Sequence, residues 1–362
     1  MHVPVPQSAR RASAAVLASL TLVAVGAPAA SAAPEIGFET LTPVCSPALP
    51  VPHPGCAQGL SYRGAPLPSG TPNQLVELSG ADRFATAVQI AEHGFPEADV
   101  AVLVSGEDRH LVDALATAPL ARSLAAPVLL STRDSVPAAT AAYLQEHAVS
   151  SVLLVGGRNA LGEELVGDLH DLGVADVARV AGGDRYATSR AVAALVPGAE
   201  HGWAASGEDA HLVDALAAAG PAARLAEPLV LVADDDPIPA GEALAARGVT
   251  STTVAGGPTA VFPEALAPLP APRRAEGVDR YGTAAALAQE GVDRGLPATD
   301  LLLAPGVSGH LVDALAAGPL GRATLLVGDE QSSFDVVEAW FDTYGAGRTT
   351  AVGAVRVEGG ES

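Results

Sequence analysis

The sequence contains no lysine, 2 cysteines, 1 methionine and only 4% aromatic residues, and its 20 basic residues, all arginine, face 41 acidic ones. With a formal net charge of −21 the chain lacks the basic excess of a nucleic-acid binder, because phosphate binding relies on clustered Lys and Arg that release counterions. The same charge disfavours attraction to an anionic membrane surface. No clustered Cys/His metal motif is present, the two cysteines lying together away from any paired histidines. Neither a Gly-x-Ser-x-Gly elbow nor a Walker-type loop is present. The lack of lysine beside abundant alanine reads as a GC-rich coding bias, so single Ala or Arg positions say little. What remains is a chain of 362 residues, 49% hydrophobic and 17% charged, the composition of a folded protein of two or three domains.

The first 32 residues read as an address. Arg10 and Arg11 precede an apolar run from Ala14 to Ala27, and Ala30-Ser31-Ala32 supplies the small residues of a signal-peptide cleavage site. Cleavage is expected after Ala32, and the protein is expected to be secreted. The run is shorter than the roughly 20 apolar residues a membrane span needs, and no later segment is long and apolar enough. Attachment to a cell surface is therefore expected to be non-covalent. Residues 33–72 form a proline-rich lead segment in which Cys45 and Cys56, close in sequence and in an oxidising compartment, are expected to form one disulfide.

Beyond this segment the chain repeats itself. Gly80-Ala81-Asp82-Arg83-Phe84-Ala85-Thr86 returns as Gly182-Gly183-Asp184-Arg185-Tyr186-Ala187-Thr188 and as Gly277-Val278-Asp279-Arg280-Tyr281-Gly282-Thr283. A second block, His-Leu-Val-Asp-Ala-Leu, begins identically at His110, His211 and His310. Both markers give one period of roughly 100 residues, which divides the chain into repeats at 73–173, 174–272 and 273–362. In the first repeat, apolar runs at 100–105, 127–131, 152–155 and 177–180 alternate with helical stretches at 83–93, 111–124, 138–147 and 163–172. That alternation predicts βα units on a parallel sheet, and continuous apolar strands suit a sheet covered on both faces, so each unit is a three-layer α/β domain. The third repeat has no room for its last helix after residues 349–353 and is expected to be closed by its neighbours.

The recurring residues carry the candidate site. Asp82, Asp184 and Asp279 each follow a strand and open a helix, the position of a capping carboxylate. Arg83, Arg185 and Arg280 either clamp a ligand at the carboxyl edge of the sheet, where α/β folds bind ligands, or pair with neighbouring carboxylates and carbonyls. His110, His211 and His310 lie in a turn, with Asp113, Asp214 and Asp313 three residues on, where a carboxylate complements the helix dipole. Around a pseudo-threefold axis the three histidines could converge on a metal; otherwise they are turn residues. Ser105-Gly106-Glu107-Asp108 and Ser206-Gly207-Glu208-Asp209 superficially suggest a hydrolase, but the third repeat has Ala304-Pro305-Gly306-Val307 instead.

In order, the Gly-x-Asp-Arg-Tyr-x-Thr opening, the Ser-Gly-Glu-Asp turn, the Asp-Ala-Leu-Ala helix, the Pro-Leu-Val-Leu strand and the Val-Gly-Gly strand end resemble the cell wall binding repeat 2 family of Gram-positive surface proteins. The likeness spans about residues 75–357 and three repeats. It implies three Rossmann-like or flavodoxin-like domains packed as an intrachain pseudo-trimer that binds secondary wall polymers non-covalently. The expected protein is thus secreted, wall-associated and non-catalytic, with no cofactor, its ligand a wall polysaccharide or a teichoic-type polymer. Since the chain is acidic, an anionic polymer would need bridging divalent cations or a local concentration of arginines. An envelope hydrolase using the strand-end Ser, His and Asp, or an extracellular scaffold that binds proteins, are the competing expectations.

Overall fold

A computed structural model describes residues 74–307, 310–345, 347–353 and 355. The expected leader, the expected cleavage after Ala32 and the expected Cys45–Cys56 disulfide lie outside the described residues. Three four-stranded sheets, all parallel, make up the architecture. The first contains β2 (Val100–Ser105), β3 (Val128–Ser131), β4 (Ser151–Val155) and β5 (Asp176–Val180) in the order β3-β2-β4-β5. The second contains β6 (His201–Ser206), β7 (Leu229–Val232), β8 (Ser251–Ala255) and β9 (Pro272–Ala275) in the order β7-β6-β8-β9. This is the flavodoxin-like arrangement, in which the strand order reverses between the first and third strands and leaves a crevice at their carboxyl ends.

The third sheet uses β10 (Asp300–Pro305), β11 (Ala323–Val327) and β12 (Arg348–Val352), and its fourth strand is β1 (Gln74–Leu78) from the beginning of the described chain. β1 pairs with β12 in the register Gln74↔Arg348 to Leu78↔Val352, and the Gly353 N–H donates to the Leu78 carbonyl at 2.9 Å. Gly156 makes the same bond to Val180 and Gly256 to Ala275. Its neighbours thus close the third unit through a strand rather than a helix. The spatial units are accordingly offset from the repeats by one strand: β1 belongs with the third unit although it precedes the first, and β5 and β9 complete the sheets of the units before them.

The helices follow the apolar pattern. α1 (Arg83–Gly94), α2 (Thr117–Ser123), α3 (Ala138–Glu146) and α4 (Glu164–Asp171) serve the first unit, and α5 (Arg185–Leu195), α6 (Leu212–Leu225) and α7 (Ile238–Ala246) the second. α8 (Arg280–Asp293), α9 (Leu311–Ala317) and α10 (Gln331–Tyr344) serve the third. The helix expected at 111–124 is split: Asp108–Ala114 is 3-10, and the α-helix starts only at Thr117. Pro119, which has no N–H and crowds the carbonyl four residues earlier, disfavours one continuous α-helix there.

Alternate residues of β2 point into different cores, Val100, Val102 and Val104 toward the centre and Ala101 and Leu103 outward, which is why the strand is apolar throughout. The central core is shared by all three units and contains Val102, Trp203 and Leu302 together. At its middle, α2, α6 and α9 with its 3-10 extension meet. Ala118, Ala219 and Gly318, each five residues after the repeated aspartate, come together so closely that a methyl on Gly318 would lie 2.8 Å from the Ala118 Cβ and 3.4 Å from the Ala219 Cβ. These three residues mark a pseudo-threefold axis. Among the described residues no helix is long and apolar enough to cross a membrane.

Candidate functional site

Each Gly-x-Asp-Arg motif lies where the chain leaves one unit for the next. The aspartate caps the new helix: Asp82 accepts from the Ala85 N–H at 2.8 Å, Asp184 from Ala187 at 2.6 Å, and Asp279 from Tyr281 and Gly282 at 3.0 and 2.8 Å. The motif's threonine hydroxyl accepts from the motif's glycine N–H at 3.0, 3.0 and 3.1 Å in the three copies. The glycine is required because the turn folds onto itself; a Cβ on Gly182 would sit 2.4 Å from the Ala187 carbonyl carbon and 2.6 Å from the Thr188 nitrogen. Gly182→Ala is therefore expected to destabilise the protein by about 3 kcal/mol, the upper end for overpacking, since backbone cannot yield as a side chain can. Urea unfolding reads this directly, and a cost near that of an exposed Gly→Ala exchange would contradict it.

The motif's arginine reaches the turn after the first strand of its own unit. Arg83 Nη1 donates to the Gly106 carbonyl and to Asp108, Arg185 to Gly207 and Asp209, and Arg280 to Gly306 at 2.8 Å. The Asp108 and Asp209 partners are mostly exposed, so these pairs orient the guanidinium more than they stabilise the fold. The third unit has Ser308 at the corresponding position. The aromatic residue of the motif rests on the strand-end glycine: a Cβ at Gly106, Gly207 or Gly306 would strike Phe84, Tyr186 or Tyr281. Ser105 and Ser206, only 2% and 1% exposed, accept from the N–H groups of Glu107 and Glu208 in their own turns. Among the described residues neither serine is hydrogen-bonded to a histidine.

The repeated His and Asp stand at the opposite wall of the same junctions. The 3-10 turn Asp108–Ala114 packs against α5, α6 against α8, and α9 against α1, so each unit presents its aspartate to the next unit's arginine. Asp113 feels His110 of its own unit and Arg185 and Asp184 of the second; Asp214 feels His211 and Arg280; Asp313 feels Arg83. Burial pushes all three carboxyls upward against the pull of these cations, Asp214 and Asp313 to about 6. Each aspartate also abuts the strand-end glycine across the crevice: the Asp214 Oδ2 would be 2.5 Å from a Cβ on Gly256. Gly256 and Gly353 have φ of +93° and +64°, a conformation glycine adopts without strain. His110, His211 and His310 are distributed one to each unit's turn, eight residues before Ala118, Ala219 and Gly318 at the axis. Among the described residues no group of three His, Cys, Asp or Glu is placed to hold a metal ion.

Two arginines outside the repeated motifs also belong to this edge. Arg179 donates to the carbonyls of Gly156 and Gly162 at 2.9 and 3.2 Å, and Arg274 to those of Gly256 and Gly257 at 3.0 and 3.1 Å, pinning the Gly-Gly strand ends. Glu77 of β1 holds the equivalent place in the third sheet, so the position does not repeat as arginine.

Three flavodoxin-like units, with each unit's repeated aspartate facing the next unit's motif arginine at the carboxyl edge of the sheets, define a three-lobed α/β protein. The model of Cell wall binding domain 2 (CWB2) matches residues 77–166, 179–266 and 274–361, and the chain belongs to that family. It is 30% identical over 219 residues, 60% of its own length, to N-acetylmuramoyl-L-alanine amidase LytC of Bacillus subtilis, and 27% identical over 158 residues to the amidase enhancer of the same organism. Those matches cover 43% and 22% of the relatives, so the chain spans less than half the length of either. Among solved structures, Cwp6 and Cwp8 from Clostridium difficile superpose on 77% of the chain with TM-scores of 0.67 and 0.66, at 25% and 28% identity, and the chain covers 45% and 49% of them.

Proposed function

We propose that the protein is a secreted, non-catalytic wall-binding protein that attaches non-covalently to a secondary polymer of the Gram-positive wall through its three interdomain clefts. The reading rests chiefly on the family match falling on all three units, each of which supplies half of two junctions. Asp113 with His110 faces Arg185, Asp214 with His211 faces Arg280, and Asp313 with His310 faces Arg83. Each cleft thus offers a hydrogen-bond acceptor and a guanidinium fork across a crevice, a pairing suited to hydroxyl-rich and acidic groups of a polymer. Asp82, Asp184 and Asp279 position the arginines by capping their helices. Repetition multiplies weak contacts: three sites engaged by one polymer gain affinity through effective concentration without any of them being strong.

Co-sedimentation of the chain from residue 33 onward with purified sacculi, before and after extraction of their secondary polymers, tests this reading. Binding is expected to the untreated sacculi and to disappear on extraction, and the triple variant Arg83→Ala, Arg185→Ala, Arg280→Ala is expected to lose at least about tenfold in affinity. A repeat with chelator separates direct contact from bridging by divalent cations. Release of soluble muropeptides from the sacculi would instead support an amidase-like activity, the activity named for LytC. Failure to bind either preparation would favour a protein-binding scaffold.

A further inference from the structure

At the amino-terminal edge of the sheets, on the side away from the three clefts, a cavity of about 430 Å³ opens where all three units meet. Arg122 from the end of α2, Arg224 from the end of α6, Arg322 before β11, Arg348 at the start of β12 and His93 from the end of α1 line it, with Asp300 the one carboxylate among them. Four of the chain's 20 arginines thus surround one cavity in a protein of net charge −21.

The fold does not need all of this charge. Arg122 ties the units together through the carbonyls of Pro319 and Leu320, at 3.0 and 2.9 Å. Arg322 is buried and answered by Asp300 at 3.2 Å and by Thr350. Arg224 and Arg348 are exposed, and among the described residues neither has a carboxylate within salt-bridge distance. The cations act on one another: burial first, and then Arg322 and Arg348, hold the His93 imidazole below its usual range, and Arg224 and Arg322 add to the burial that lowers Arg122.

The equivalent corner of the second unit shows the charge to be specific. There the buried residue is Glu227, which accepts from Trp203 at 2.7 Å, lies 3.0 Å from His201 Nδ1 and pairs with Arg294 of the third unit. In the third unit the same place after the left-handed residue, Ala226 in one and Gly321 in the other, is held by Arg322. One junction neutralises its buried charge internally, and the other gathers like charges around an open cavity.

We propose that this cavity is a binding site for a multiply charged phosphate-type oxyanion, separate from the interdomain clefts. The exposed guanidinium groups of Arg224 and Arg348, with the Arg122 and Arg322 charges beside them, match the several oxygens of a phosphate or pyrophosphate in the bidentate manner that arginine favours. A ligand there would bridge all three units. The shared chemistry can come from a free ion or from a phosphodiester-linked polymer.

Isothermal titration calorimetry with pyrophosphate, and in parallel with a glycerol-phosphate oligomer, tests the site on the protein, on the double variant Arg224→Ala, Arg348→Gln, and on Arg273→Ala, an exposed arginine of β9 outside the cavity. Saturable binding to the protein and to Arg273→Ala is expected, weakened at least about tenfold in the double variant and weakened again by added salt. Both altered residues are exposed, so folding is expected to persist, and circular dichroism checks it. Tighter binding of the oligomer would assign the site to a polymer, and equal or tighter binding of pyrophosphate to a free ion. No saturable binding, or equal loss in Arg273→Ala, would overturn the proposal. Because the probes are small defined anions, this result is independent of whether sacculi are bound.

Discussion

Deletion of Gln74–Leu78 is expected to disable the third unit, at a distance of more than half the chain from where the deletion is made. β1 is the only partner of β12 on that side of the sheet, and it brings Leu78 into the shared core with Val76 against it and Leu75 against the third unit's outer core. With about 1.5–3 kcal/mol for each well-buried Val or Leu, and less for the two half-buried ones, the loss is on the order of 4 kcal/mol. It is expected to appear as a lower unfolding midpoint and as new proteolytic cleavage near β12, whose edge would be opened. Restoring the same five residues after the third strand, joined by a connection copied from residues 256–271 of the second unit, is expected to recover the stability, because the spatial order of strands is then the one the first two units already use. An unchanged midpoint on deletion, or no recovery in the rearranged chain, would refute this account of the third sheet.

The second large effect is a pH dependence concentrated in two residues. Asp214 and Asp313, each 6% exposed, have carboxyls raised by burial to about 6. A raised folded value means that the native state holds protons the unfolded chain has released, so this contribution to stability is complete below the unfolded value near 4 and is lost as pH rises through about 6. At neutral pH each ionised carboxylate costs on the order of 3 kcal/mol relative to acid conditions, from a shift of roughly two units. Asp214→Asn and Asp313→Asn are expected to be more stable than the parent at pH 7.5 and to lose that advantage at pH 4, measured by urea unfolding at both. Glu107 and Asp279, where burial pushes upward but hydrogen bonds and neighbouring cations together outweigh it and lower the carboxyl, act in the opposite sense, so the comparison must be variant against parent rather than pH against pH. An advantage equal at both pH values would sink the assignment. If the clefts bind polymer through these aspartates, the same variants would be stabilised while binding less, a separation of stability from function that packing defects do not produce.

Much of the fold is legible in the residues because each local preference agrees with the global one. The four strands expected in the first repeat fall within one residue of β2, β3, β4 and β5, and the capping role of Asp82, Asp184 and Asp279 follows from a carboxylate placed between strand and helix. What could not be read is whatever depends on distant neighbours. Gln74–Leu78 is five residues long, and its partner lies far along the chain, so no local pattern says which sheet it joins. The meeting of Asp113 with Arg185 belongs to a junction between repeats, whereas spacing relates Asp113 only to His110. The arginines of the basic cavity escape repeat analysis because they do not repeat: Arg322 stands where the second unit has Glu227 and the first has Ala126. The split helix at 108–123 is hidden by the identity of His110–Leu115 with copies whose α-helices begin at Leu212 and Leu311.

Sheet closure by β1 also decides how the molecule would carry a load. Segments preceding Gln74 and following Val352 leave adjacent parallel strands of one sheet in opposite directions. Tension between them would pull β1 and β12 along their lengths and strain their ladder of hydrogen bonds all at once, rather than peeling it bond by bond. The first and second sheets would lie outside the path of the force, together with the junction between them. A chain pulled between these two segments would resist or yield at a single seam, its rupture governed by the rate at which that seam opens rather than by the stability of the whole.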